Sequence, residues 1–566
     1  MMEANQPVST QTDVKPNMPD ELKNQLEFVS ASKLGRYELP VGLGLGVLSG
    51  ILWFLACPKF NLWPLAWFAM APGLFAMERA SSRWRAALFA WCMGIVGNAG
   101  GFYWMIAVIE RFAGLPRPLA VLLFIAVCSF QALGLLFLGW ILHSIRRNFD
   151  LPLALLAPLI MVTAELCMPL LFQFYLAMTL ARQLHFIQIA DLTGPLGVTA
   201  LLIMVNGAIY DIVTNPRRRL RTALVSALIV AGVLAYGYFR INQMSRLRAA
   251  APKIKVGIIQ PNVSSNDIGN SRGLFAYQQI ATLQKLSAEL EAAGADLIVW
   301  PESAYPEAIS RQAEGDKPEQ SASRIRRNFT APLIFNVITY EPTVNRRPMY
   351  NTAFMLDQSG KFAGRFDKNQ LLIFGEYFPF LETFPWLQKF APQSGSQYAA
   401  GQSAVAFPFR TKDGREWRLG PMICLEDIIP AFGRKVGKLH PHLLVNLTND
   451  SWFGDTSEPW QHLSLSVFRS IEHRTELVRA VQTGVSAYVD VTGKIYAETY
   501  VAGTPESPRP PDKILQEVAL IEGGHTVYAA VGDIFGYLCA AMTIFLWLIF
   551  PRLRRRRKLI PSAASD

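Results

Sequence analysis

Long apolar runs and one long polar interval divide this chain before any single motif does. Seven hydrophobic runs follow one another, approximately Val41 to Cys57, Leu62 to Met77, Ala86 to Ile109, Pro118 to Leu142, Leu151 to Leu171, Ile189 to Val213 and Leu220 to Phe239. Each approaches the roughly 20 residues an α-helix needs to cross a bilayer core. An eighth run, Val527 to Phe550, comes only after the polar interval. The pattern predicts a membrane α-helical bundle of eight transmembrane helices, seven within 37–240 and the last within 526–551. A polar tail over 1–36, a polar domain over 253–522 and a basic tail over 552–566 complete the division.

Composition agrees, since 51% hydrophobic and 17% charged residues over 566 positions are too apolar for a wholly water-soluble chain. The net charge of +11 matters less than where the cations sit. Lys33 and Arg36, Arg79, Arg83 and Arg85, Arg146 and Arg147, and Arg217, Arg218, Arg219 and Arg221 fall in alternate short loops, and a basic run from Arg552 to Lys558 follows the last apolar stretch. The positive-inside rule then places both termini in the cytoplasm and the polar domain outside. So placed, the basic tail reads as a topology anchor, and no nucleic-acid partner is expected. No basic n-region followed by an apolar core opens the chain, so no cleavable signal peptide is expected.

The polar domain has an α/β pattern. Short β-branched runs, Ile254 to Ile259, Asp296 to Trp300, Leu333 to Thr339, Pro421 to Ile423 and Leu443 to Leu447, alternate with helical stretches at Ala276 to Ala293 and Gln461 to Ala480. Catalytic groups collect at strand ends in such sheets. Three ends carry chemistry. Trp300-Pro301-Glu302 offers a carboxylate whose partial burial would raise its pKa toward general-base range. Lys368, in Asp367-Lys368-Asn369, offers a point charge for a developing oxyanion. Cys424 is the only cysteine outside the predicted membrane helices, which hold Cys57, Cys92, Cys128, Cys167 and Cys539. A lone thiol in an oxidising exterior is either buried and inert or kept for its reactivity. No Cys-x-x-Cys pair or Cys/His ligand grouping is present, so neither a disulfide framework nor a metal site is expected.

Taken with Val256-Gly257-Ile258-Ile259-Gln260-Pro261-Asn262, the Phe374-Gly375-Glu376-Tyr377 segment and the Cys424-x-Glu426 pair, the three strand ends resemble the nitrilase (carbon-nitrogen hydrolase) superfamily. The run Asn446 to Asp455, then Pro459 to His462, Arg469 to Glu472 and Thr483-Gly484, together with the helical pattern, is similar to the bacterial apolipoprotein N-acyltransferase family within it. The resemblance implies an α/β nitrilase-like αββα sandwich facing the periplasm on an eight-helix platform in the bacterial inner membrane. It implies Cys424 as nucleophile, Glu302 as general base and Lys368 as oxyanion stabiliser, with Glu376 and Glu426 supporting. The implied reaction is ping-pong: a phospholipid donor, chiefly phosphatidylethanolamine, loses its sn-1 acyl chain to Cys424 as a thioester. The α-amine of a diacylglyceryl-cysteine at an apolipoprotein N-terminus then takes the chain. No cofactor is implied, and the enzyme is expected to act as a monomer. Leu425 and Gln482 depart from the residues usual at those positions.

Other residues stand outside the triad. Glu165 lies inside a predicted membrane helix, where an ionisable group is costly, and reads equally as substrate-facing or as a structural hydrogen-bond acceptor. Phe380 and Trp386 belong to an aromatic segment, Phe374 to Phe390, that suits either an arm dipping into lipid or a core loop. Trp452 and Trp460 flank a loop that the resemblance places beside the site. Two rivals remain open, a membrane-anchored amidase using the same triad with water, and a transporter with a receptor domain.

Overall fold

The computed structural model describes residues 35–263, 274–342, 348–373, 375–378, 381, 383–384, 386, 398–500 and 510–552. Both tails, apart from a few residues at their inner ends, and Phe374, Phe380 and Phe390 lie outside that set.

Helices α1 (Glu38–Ala56), α2 (Ala71–Arg79), α3 (Arg83–Gly101), α4 (Met105–Ala113), α5 (Arg117–Gln131), α6 (Leu133–Arg146), α7 (Leu153–Cys167), α8 (Pro195–Thr214) and α9 (Arg219–Ala250) precede the polar domain. Among the described residues, five helical spans are long and apolar enough to cross a bilayer, and six if α3 and α4, bent by 66°, count as one. The expected count of eight is therefore not reached by long helices, and proline explains both shortfalls. Leu62 to Met77 becomes a 3₁₀ turn, Trp63–Trp67, and the nine-residue α2, each with a proline in its first positions. A residue without an N–H starts a helix more readily than it continues one. Leu151 to Leu171 becomes the 15-residue α7, which stops at an extended Met168 ahead of Pro169.

Close approach of α1 to α3 rests on glycine. A Cβ on Gly46 would lie 2.7 Å from the Phe89 carbonyl oxygen, and one on Gly50 2.7 Å from that of Met93, whereas Gly44 faces open space. Backbone atoms cannot yield as a flexible side chain can.

The polar domain is a sandwich of two sheets. Strands β1 (Lys253–Gln260), β2 (Leu297–Val299), β3 (Ile309–Ser310), β4 (Leu333–Tyr340), β5 (Met349–Leu356), β6 (Phe362–Asp367) and β13 (Asp512–Ala519) form one, in the order β13-β1-β2-β4-β5-β6 with β3 beside β4. The other, in the order β12-β11-β10-β9-β8-β7, contains β7 (Phe407–Arg410), β8 (Glu416–Ile423), β9 (Leu443–Thr448), β10 (Leu477–Val481), β11 (Val485–Val489) and β12 (Ile495–Tyr500). Side chains alternate as a pleat requires. Leu297 and Val299 join the apolar layer between the sheets, while Ile298 and Trp300 pack outward against Ile280, Leu283 and Leu290 of α10 (Leu274–Ala292).

Helices α11 (Pro430–Gly437) and α12 (Glu458–His473) cover the second sheet. Fourteen of the sixteen residues of α12 are buried, because its far side meets the helical region through Gln461 Nε2, which donates to the Gly101 carbonyl at 2.9 Å. The expected helix Gln461 to Ala480 is thus corrected. It ends at His473, where Arg474 turns left-handed at φ 52°, and Leu477–Val481 forms a buried central strand instead. Helix α13 (Ile534–Ile544) follows a break at Gly532 and continues through a π-helical turn, Phe545–Ile549, to the end of the described residues.

Gly46→Ala should lower the melting temperature of the detergent-solubilised protein, at an overpacking cost of about 1–3 kcal/mol. Gly44→Ala should leave it unchanged or raise it, since alanine favours a helix interior by up to about 1 kcal/mol. Equal effects from the two would remove the close-approach argument.

Candidate active site

The strand ends anticipated from sequence meet between the two sheets. Glu302 follows β2, and the indole of Trp300, which donates to Ser287 Oγ at 3.0 Å, anchors the chain just before it. Lys368 follows β6 directly. Its ammonium lies 3.3 Å from Glu302 Oε1 and 2.9 Å from Glu376 Oε2, with the lysine side chain only 2% exposed. Burial pushes the Glu302 carboxyl above the ordinary glutamate value, Lys368 pulls it back, and the Glu376 charge pushes it up again. Burial alone would favour neutral lysine, but the two carboxylates outweigh it and hold the ammonium well above its usual range.

Cys424 follows β8 in the other sheet and takes φ 53°, a left-handed conformation that residues with a Cβ rarely adopt. The thiol lies close enough to the same buried cluster to feel the charges of Glu302, Lys368 and Glu376. Burial, followed by the Glu302 carboxylate, pushes this thiol well above the ordinary cysteine value, with Lys368 opposing. The resting sulfur is therefore a protonated thiol in need of a base.

Glu426 joins the two sheets. One of its oxygens accepts from Asn369 N at 2.7 Å and Gln370 N at 3.0 Å, and the other accepts from Ile423 N at 2.8 Å. One buried carboxylate thereby fixes the Lys368 loop against the Cys424 turn. Burial pushes its carboxyl up to about 8 despite these donors.

Sequence reasoning missed Asn351, on β5. Its amide nitrogen donates to Glu302 Oε1 and to Glu376 Oε1, both at 2.7 Å, while its Oδ1 accepts from Asn336 Nδ2 at 2.6 Å. The only available signal was a pair of asparagines in otherwise apolar strand runs. Also unforeseen is a charged network behind the cysteine turn. His462 on α12 directs one ring nitrogen at Asp427 Oδ1, 2.9 Å away, and the other at Asp450 Oδ1, 3.2 Å away. Two carboxylate acceptors require two N–H donors, so this ring is an imidazolium, and its pKa is raised to about 10 even though burial and Arg479 oppose the charge. Asp450, Glu458 and His462 bring ligand atoms within 4.8 Å of one another. A protonated ring with Arg479 Nη2 3.2 Å from Asp450 makes that group a poor cation site.

Trp386 is exposed beside Phe384, their rings 6.5 Å apart, and Phe380 lies outside the described residues. Trp452 and Trp460 are half-buried in the segment after β9, with the Arg182 guanidinium 5.6 Å from the Trp460 ring centre. Glu165 is buried and accepts from Leu176 N at 2.9 Å, which supplies the structural partner one of its two readings required.

Comparison with known proteins fits this arrangement. The model described as "Apolipoprotein N-acyltransferase N-terminal domain" matches residues 49–208, and "Carbon-nitrogen hydrolase" matches 255–502. An apolipoprotein N-acyltransferase of Geobacter metallireducens is 31% identical over 513 residues, covering 88% of this chain and 93% of the relative. This chain belongs to the apolipoprotein N-acyltransferase family. It is accordingly an acyltransferase built on a carbon-nitrogen hydrolase domain. A second such N-acyltransferase, from Bdellovibrio bacteriovorus, is 28% identical and covers 79% of this chain and 84% of its own length. Among solved structures, Saccharomyces cerevisiae Nit3, of the nitrilase superfamily, aligns at 18% identity and a TM-score of 0.33 over 50% of this chain and 94% of its own.

In this N-acyltransferase, Lys368→Met should push the Cys424 thiol higher still. Alkylation by iodoacetamide at pH 8 should slow by roughly tenfold for each pKa unit gained, read as mass-labelled Cys424 against time. An unchanged rate, with an unchanged melting temperature, would mean that the ammonium does not act on the thiol.

Proposed function

We propose that the protein is an apolipoprotein N-acyltransferase that moves an acyl chain from a phospholipid to an apolipoprotein amine through Cys424. The observation that carries the reading is the buried Glu302–Lys368–Glu376 cluster facing a strained cysteine turn, on a chain with several bilayer-length helices. In the first half, Glu302 takes the thiol proton and the sulfur attacks the sn-1 ester carbonyl of the donor. The oxyanion forms against the Lys368 ammonium. Collapse breaks the ester C–O bond, Glu302 returns the proton to the departing alkoxide, and a lysophospholipid leaves.

In the second half, the α-amine of the diacylglyceryl-cysteine attacks the thioester carbonyl. Glu302 accepts a proton from the attacking nitrogen, and collapse expels the Cys424 thiolate, which recovers that proton as the amide leaves. Glu376 holds Lys368 in place, and Glu426 keeps the lysine loop and the cysteine turn aligned. Phosphatidylethanolamine is the donor we favour. We place the sandwich in the periplasm, both termini in the cytoplasm and eight crossings in the bacterial inner membrane, with the short segments of α2 and α7 completing the count. An exposed Trp386, 60% accessible, suits an aromatic arm at lipid level, and Trp452 and Trp460 suit the rim of the substrate path.

Purified protein incubated with phosphatidylethanolamine should gain a fatty-acyl mass on the Cys424 peptide. A diacylated lipopeptide should discharge it as its own mass rises by one acyl chain. Cys424→Ala should abolish the adduct, while Cys424→Ser should leave a trace of transfer. An unmodified but alkylatable Cys424 would overturn the reading. Because Glu302 must be ionised to act, thioester formation should fall as pH drops through its raised pKa. That acid limb should lie above the ordinary glutamate value of about 4.3, and a limb at the ordinary value would remove Glu302 as the base.

A further inference from the structure

A cavity of about 320 Å³ opens where the helical region meets the sandwich, and its lining includes none of Glu302, Lys368 and Cys424. Its walls come from three separate segments. The turn after α1 supplies Lys59 and Asn61, the stretch after the 3₁₀ helix Leu176–Leu180 supplies Arg182, and the sandwich supplies Trp460, Ser464 and Glu498. Each cation faces an acid from the opposite side of the junction. Lys59 Nζ lies 3.0 Å from Asp455 Oδ1, and Arg182 Nη2 lies 2.9 Å from Glu498 Oε2. All four side chains keep between 31% and 43% of their surface in solvent, so the pairs are open to exchange rather than locked in a core.

The turn that carries Lys59 is held in an unusual shape. Lys59 and Asn61 adopt φ 78° and 54°, and Asn61 N donates to the Cys57 carbonyl at 2.9 Å. Non-glycine residues in that region store strain, which collects where a side chain must be aimed. Phe60 and Leu62, on either side of Asn61, are 39% and 50% exposed, so the same turn offers an apolar rim next to the charges. On α12, Trp460 and Ser464 share a face, being four residues apart, and that face lines the cavity. The opposite face carries His462 to the aspartates behind Cys424. One helix thus borders both the cavity and the support of the nucleophile.

The geometry points to a docking site for the zwitterionic phosphoethanolamine headgroup of the acyl donor. Its phosphate would lie between Lys59 and Arg182, its ammonium against Glu498 and Asp455, and its glycerol end would emerge at the Phe60 and Leu62 rim. Two cations from different segments suit a phosphate, which the acceptor's diacylglyceryl-cysteine lacks. The assignment rests on the acyl-transfer reading for what the site delivers, but headgroup binding can be measured without transfer.

The test uses the full chain in detergent, with Cys424→Ala to block chemistry and short-chain phosphatidylethanolamine titrated by calorimetry. On that background, Lys59→Ala and Arg182→Ala should each weaken binding at least about tenfold, and Lys59→Arg should restore most of it. Glu498→Gln should weaken phosphatidylethanolamine binding but not that of phosphatidylglycerol, which has no amine. With Cys424 present, the alanine variants should raise the donor concentration that half-saturates thioester formation, leaving the maximal rate and the acceptor's half-saturation within about twofold. Unchanged lipid affinity in variants that melt like the parent would overturn the site, and so would a shift confined to acceptor half-saturation. Lipid binding that depends on Lys59 and Arg182 but yields no thioester in the parent would keep the site and reject the transfer reading.

Discussion

One ammonium shared by two buried carboxylates is the constraint on which the rest of this structure depends. An isolated ion cannot be held in such surroundings without a partner. Lys368 stands between Glu302 and Glu376, and the neutral amide of Asn351 gives one N–H to each. The cluster therefore carries one more carboxylate than cation, and burial together with the Glu376 charge holds the Glu302 carboxyl above its ordinary value although Lys368 opposes them. Asn351 must face the cluster squarely, and Asn336 on the neighbouring strand, bonded to its Oδ1, sets that orientation. The register of β4 against β5, which pairs Asn336 with Ala353 and Ile338 with Asn351, is in this sense part of the chemistry.

Cys424 belongs to the other sheet, so its alignment cannot come from that register. Glu426 supplies it, accepting backbone N–H groups from both the lysine loop and the end of β8. A left-handed cysteine stores conformational energy, and it persists only where neighbours over-determine it. Besides Glu426, Asn446 donates to the Cys424 carbonyl at 2.9 Å, and the imidazolium of His462 holds Asp427, three residues on. These contacts explain why so many charges lie behind a thiol that uses none of them directly.

What the sequence disclosed follows the same division. Lys368 and Cys424 sit directly after a strand and Glu302 just beyond Trp300 and Pro301 at the end of one, so a local pattern of apolar run and polar residue exposes them. Asn351 and Asn336 lie inside strands, where their meaning depends on a pairing that no local pattern encodes. His462 sits on a helix whose burial on both sides comes from docking against the helical region, so its surroundings could not be read from its own period. The overlong helix expected at Gln461 to Ala480 failed for a related reason: buried strand and buried helix look alike in a short apolar run. Hydropathy located the apolar stretches correctly but could not tell a crossing helix from a short one begun by proline.

The joint between platform and sandwich limits how substrates can reach the site. Helix α9 runs for 32 residues, roughly 48 Å at 1.5 Å per residue, and only Ala251 and Pro252 separate it from β1. Arg240 on this helix and Arg474 after α12 both grip Asp191, at 2.7 Å and 2.6 Å, and Arg248 pairs with Glu476 at 2.6 Å. Asp191 and Glu476 are each about 1% exposed, so these are desolvated contacts whose loss would leave a buried charge unpaired. A sandwich so fixed does not swing toward the bilayer on a linker. Any substrate path to the Cys424 turn therefore has to be compatible with a joint held by these pairs.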